Sequence, residues 1–267
     1  MRGIHLILIL IILFVFIQYI IKIFFCKRNN DDFKNKTDNY ITFLEADKLI
    51  EILYNDTDNY YDRFYDYDWK ARNVKNKTEY INLIKNNNVC LNFTSEQKSI
   101  ITTAINTIEM KITVYNMSQG NYDTTHMNLL KTPWIIGLTN SMYENGLPHT
   151  RGNVIILNET NILSMDLISI LIHEKVHIYQ KMYPQETDRF IKQMKFKKID
   201  TRKYDDMIRV NPDTNNSIYT INNRKMISSY NSSEPTCITD IKYNERNQLY
   251  EHPLEWMAIT ITNKMMI

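Results

Sequence analysis

Cysteine is nearly missing from this sequence, with three among 267 residues and no two at a CxxC spacing. That excludes a disulfide framework, a cysteine zinc site and a thioredoxin-type redox motif. Cys26 stands apart beside an apolar segment, so Cys90 and Cys237 are the one pair that could meet. Glycine and proline are scarce, at 5 and 6, while Asn, Ile, Lys and Tyr abound, as in chains coded by AT-rich genomes. Basic blocks are lacking as well. The 32 Lys and Arg against 30 Asp and Glu leave a net charge of +2 spread along the chain, which argues against a nucleic-acid partner. Internal repeats are absent, and no linker divides the chain after residue 40, so one domain is expected over 41–267.

The largest feature present is a hydrophobic run. From Ile4 to Phe25 the chain is nearly all Ile, Leu, Phe and Val, broken by His5, Gln18, Tyr19 and Lys22. At helical rise this length crosses a bilayer core, and no small-x-small cleavage site follows it. A single-pass transmembrane anchor over 1–28 is therefore expected, with residues 4–25 in the membrane and a polar linker over 29–40. Lys22, Lys27, Arg28, Lys34 and Lys36 favour a cytoplasmic C-terminal domain. Eight Asn-x-Ser/Thr sequons, at Asn35, Asn55, Asn76, Asn92, Asn116, Asn158, Asn215 and Asn231, point the other way. The side of the membrane stays open.

Beyond the linker, Thr42 and Glu45 have capping-box spacing, and Phe43, Ala46, Leu49, Ile50 and Leu53 recur at helical intervals up to about Asn55. "YYDRFYDYDWKAR", residues 60–72, reads as a loop or short helix with packed rings and solvated aspartates. Thr94 and Gln97 cap a second helix over about 95–110, with Ile100, Ile101, Ala104, Ile105 and Ile108 on one face. "KITVY" (111–115), "WIIGL" (134–138) and "VIIL" (154–157) read as strands. A helix over about 161–182 ends before Pro184, and another restarts at Pro253. The fold class is α+β. The region 200–247 carries weak signals, broken at Asn211-Pro212.

The helix ending at Pro184 contains "ILIHEKVHIYQ". Imidazoles and a carboxylate in an apolar helix cost free energy unless something pairs with them. His173 and His177, four apart, share a face and can both reach one zinc ion. Glu174 beside the first can act as general base toward water at that ion. A catalytic zinc needs a third protein ligand. Tyr183 and Gln180 stand where a metzincin has histidine and glycine, and residues 195–198 are lysine-rich or apolar where a thermolysin-like glutamate would fall. The best candidate is Glu255, in the first turn after Pro253, with the small Ala258 allowing close helix approach. Glu251 and His252 compete for the role or orient a ligand from outside. A third possibility is that the histidines are core residues and no metal binds.

HEKVH with a distant Glu-x-x-Ala resembles the gluzincin zinc metallopeptidases. The resemblance implies zinc at His173, His177 and Glu255, Glu174 as the base, and a zincin-like domain with a small mixed sheet, an active-site helix and a C-terminal ligand helix. An aspartate often follows that alanine in the family; here Ile259 stands there. The anchored, compact chain is also similar to uncharacterised metallopeptidases of large DNA viruses. Family architecture further implies that Val154, Ile155, Ile156 and Leu157 form an edge strand pairing with a peptide or protein substrate. His149 and Arg151, or Tyr219 or Tyr179, would then stabilise an oxyanion. The activity implied is zinc-dependent peptide hydrolysis. The alternative is a membrane-tethered binding or structural protein with the same core and no proteolysis.

Overall fold

A computed structural model describes residues 40–86, 88–118, 129–204, 206–243 and 251–266. The chain divides into two compact units, 1–41 and 42–267, and the second carries every candidate site residue. The expected anchor and residues 29–39 of the linker lie outside the described residues. Among the described residues no helix is long and apolar enough to cross a membrane.

The fold is α+β around a mixed five-stranded sheet: β1 (Ile41–Phe43), β2 (Cys90–Leu91), β3 (Trp134–Thr139), β4 (His149–Arg151) and β5 (Val154–Leu157). The order is β1-β3-β5-β4, with β2 also on β3. β3 runs parallel to β5, and β4 antiparallel to it. All four residues of β5 are buried, as a continuous apolar run predicts for a strand covered on both faces. On one face Val154 and Ile156 meet Leu49, Leu53, Tyr60 and Tyr61. At Gly137 a Cβ would come within 2.8 Å of Leu49, so the glycine lets the first helix lie close on β3.

That helix, α1, spans Ala46–Asn55, and the Thr42/Glu45 capping box did not form: Thr42 is in β1, and Asn92 Oδ1 accepts the Ala46 N–H instead. Strand pairing outweighed a local cap. α2 (Asp66–Lys70) follows a 3-10 turn at Tyr61–Arg63, as the aromatic stretch suggested, yet Asp68 is buried rather than solvated. α3 is Lys77–Asn86 and α4 Ser95–Ser118. Thr94 and Gln97 do cap α4, by Thr94 N–H to Oε1 at 2.9 Å and Gln97 N–H to Oγ1 at 3.1 Å. "KITVY" lies inside α4 and is no strand. Ile112 extends the buried stripe of Ile101, Ile105 and Ile108, and that packing overrides β-branched propensity.

The single helix expected over 161–182 is two: α5 (Glu159–Ile162), capped by Asn158, and α6 (Leu167–Met182). Pro184 ends α6 as expected and opens α7 (Pro184–Gln193). Lys175, on α6, donates to the carbonyls of Thr132 (2.7 Å) and Pro133 (2.5 Å), tying α6 to the start of β3; burial lowers its pKa to about 7. The weakly patterned region forms β6 (Lys197–Thr201), β7 (Ser217–Ile221) and β8 (Arg224–Met226) as one antiparallel sheet, with β9 (Ser228–Tyr230) and β10 (Ile241–Tyr243) as a pair. α8 (Pro253–Met266) closes the fold against α6. Cys90 and Cys237 are both free thiols.

Candidate metal centre

The apolar face of α6 packs inward, and the same register brings His173 and His177 one turn apart toward α8. Their Nε2 atoms lie 3.1 Å from each other. Glu255, in the first turn of α8, reaches both: Oε2 is 3.2 Å from His173 Nε2 and Oε1 is 3.6 Å from His177 Nε2. Ala258, one turn on, is fully buried, as expected of a small residue where two helices approach closely. Two imidazole nitrogens and a carboxylate oxygen, all within 4.8 Å of one another, form a possible metal site. Two sp² nitrogens facing 3.1 Å apart need a proton or a cation between them, and the donor set suits an open zinc site. Glu251 and His252 belong to neither of the two ligand-spaced clusters among the described residues, His173/His177/Glu255 and Glu174/His177/Asp213.

Electrostatics agree with the geometry. Burial would raise the Glu255 pKa, but His177 and His173 hold it well below the usual carboxylate range. Burial disfavours charge on both histidines, yet Glu255 pushes both pKa values up. Glu174 behaves oppositely: burial, then the nearby Asp213, drives its pKa well above the ordinary value. Its Oε2 is buried without a hydrogen-bond partner. A cavity of about 340 Å³ opens onto this group and is lined among others by Leu147, His149, Ile170, Asn211 and Asp213.

Three polar residues that motif reading missed surround the ligands. Gln180 Oε1 lies 2.9 Å from His177 Nδ1, and Gln180 Nε2 donates to the Leu254 carbonyl at 2.8 Å. Asn211 Nδ2 donates to Glu255 Oε1 at 2.8 Å. Asp213 accepts from Thr150 N–H at 2.9 Å and from the Thr150 hydroxyl. Gln180 carried one usable signal, a carboxamide at i+3 from His177 and so on its face. Asn211 and Asp213 carried none beyond the turn at Asn211-Pro212.

The other expected residues serve different ends. Glu251 is taken by Arg209, at 3.0 and 2.8 Å. His252 holds the first turn of α8, its Nδ1 accepting the Leu254 N–H at 3.2 Å, and its ring stacks edge-on against Tyr219. Burial depresses its pKa to about 3. His149 does line the cavity, but its Nδ1 must donate to the Leu147 carbonyl 2.9 Å away. Burial lowers its pKa, so the neutral ring offers a lone pair at Nε2 and no proton for an oxyanion. Arg151 points elsewhere, to Asp56, Asp58, Tyr61 and Tyr143. Tyr179 donates to Glu186, and neither it nor Tyr219 lines the cavity.

Val154–Leu157 is not an edge strand, because β3 and β4 pair with its two sides. The edge is β4, and side chains already occupy its outward backbone groups. Thr150 N–H goes to Asp213, its carbonyl accepts from Lys181 Nζ at 3.1 Å, and Gly152 N–H goes to Asp58 at 3.1 Å. Pro148 has no N–H to offer. Comparisons with family models, with curated proteins and with solved structures found no match to this chain.

Proposed function

We propose that the chain is a zinc-dependent peptidase, anchored in a membrane through residues 4–25 and acting on a peptide or protein substrate. The observation that carries this reading is the clustering of His173, His177 and Glu255, whose ligand atoms lie within 4.8 Å of one another, with the unpartnered Oε2 of Glu174 buried beside them. The arrangement is consistent with a zincin-like site. His173 and His177 would hold zinc through Nε2 and Glu255 through a carboxylate oxygen. Zinc, when bound, supplies Lewis acidity toward water and toward the scissile carbonyl. Glu174 takes a proton from the attacking water and passes it to the leaving amide nitrogen, its basicity increased by burial, which raises its pKa above that of an ordinary carboxylate. The cavity beside Glu174 takes the residues flanking the scissile bond. His149 Nε2 offers an acceptor for a substrate N–H.

Glu174→Gln keeps shape and ligands and removes the base. Zinc content should be retained and hydrolysis of a mixed peptide library should fall by about 10²-fold or more. Undiminished cleavage would sink the mechanism. One observation favours a second reading, a membrane-tethered binding or structural protein without proteolysis: the β4 edge is already occupied, by Asp213, Lys181 and Asp58. Stoichiometric zinc with no cleavage of any peptide in the library would select it.

A further inference from the structure

The two helices that carry the ligands are joined at the site by one carboxamide. Gln180 is 5% exposed, between the last turns of α6 and the first turn of α8. The Leu254 carbonyl can only accept, so the group facing it at 2.8 Å is the amide NH₂. That fixes the other end. The amide oxygen must face His177 Nδ1, and an oxygen accepts, so Nδ1 carries the ring proton. A neutral His177 then presents its lone pair at Nε2, on the side where His173 and Glu255 lie. A single backbone carbonyl thereby selects the tautomer of a ligand on the other helix. Leu254 immediately precedes Glu255, so the same bond also ties α6 to the first turn of α8. Little water competes at such a depth. Ile259, on α8, has no polar side-chain atom to do this.

We propose that Gln180 is the positioning residue of the metal centre: its amide oxygen sets the His177 tautomer, on which metal affinity depends, and its bond to Leu254 steadies the packing of α6 on α8. This rests on the metal-site reading, and it adds a neutral orienting group where a carboxylate would have added charge. Outer partners of this kind change metal affinity by about 10–100-fold when removed. The lone pair and the helix packing are separable by substitution, because Gln180→Glu keeps an acceptor for Nδ1 and loses the donor to Leu254, whereas Gln180→Leu loses both.

The test is zinc affinity of the full chain, by competition with a chromogenic chelator, together with the visible spectrum of the Co²⁺-loaded protein. Wild type should bind stoichiometrically. Gln180→Leu should bind about 10–100-fold more weakly with an altered cobalt band. Gln180→Glu should recover affinity and band while melting at a lower temperature. If Gln180→Leu does not fold, Gln180→Glu alone decides: wild-type-like affinity and band support the role, and loss of zinc by a folded Gln180→Glu overturns it. Wild-type affinity and spectrum in a folded Gln180→Leu also overturn it. A wild-type chain that binds no zinc overturns the metal-site reading first, and this inference with it.

Discussion

Two of the buried polar clusters among the described residues differ in what completes them. In the first, charges meet opposite charges and tyrosines. Glu144 accepts from Arg72 Nε at 3.0 Å, Tyr80 at 2.7 Å and Tyr60 at 3.0 Å, while Arg151 is held by Asp56, Asp58, Tyr61 and Tyr143. Burial would raise the Glu144 pKa, but Arg72 brings it down to about 2. In the second, two imidazole nitrogens and a carboxylate face one another, and Glu174 Oε2 has no partner. Buried polar groups are normally satisfied. A cluster that is satisfied stabilises and positions; one whose ligand atoms crowd together has the donor set for a cation to complete it. The same chemistry of burial thus separates scaffold from site.

The largest effect expected from breaking this comparison is on the scaffold side. Arg72→Leu strands Glu144 in the core and should cost about 3–5 kcal/mol in chemical denaturation. Zinc binding comes next. At free zinc near 100 times its Kd the folded state should gain about 2.7 kcal/mol, and His177→Ala should abolish the gain in melting experiments. Asn211→Leu should then weaken zinc binding about tenfold, since it removes one donor from Glu255.

Acidity sharpens the contrast with opposite signs. Glu144 has a depressed pKa, so its contribution is present above the ordinary carboxylate pKa and is lost only as pH falls toward about 2. His173 and His177 have raised pKa values, so in the metal-free protein their pairing with Glu255 is fully present below the ordinary histidine pKa. It is lost as pH rises through the raised values. Protons therefore compete with zinc, and the zinc-induced rise in melting temperature should grow from about pH 5 to about pH 8. A zinc effect that shrinks over that range would contradict the assignment of these histidines.

The sequence showed the site better than its surroundings, for a physical reason. His173, Glu174 and His177 are local in the chain, and helical periodicity places His173 and His177 on one face with Glu174 next to them. Glu255 was reachable because Pro253 marks a helix start and Ala258 a close approach. β3 and β5 were legible as apolar runs, and Thr94 with Gln97 as a local cap. What was illegible is set by contacts far apart in sequence. "KITVY" is helical because Ile112 finds a buried stripe, and Val154–Leu157 is an inner strand because β3 and β4 flank it. Gln180 and Asn211 reach partners 74 and 44 residues away. His149, expected at a turn, lies in β4 and lines the cavity, and its role depends on the carbonyl of Leu147, which no pattern reveals.

The most direct measurement is elemental analysis of the purified wild-type chain beside Glu255→Ala. The account predicts one zinc per wild-type chain and its loss in the variant, with the fold retained by circular dichroism. A wild-type chain without metal, or a Glu255→Ala chain that keeps its zinc undiminished, would contradict it.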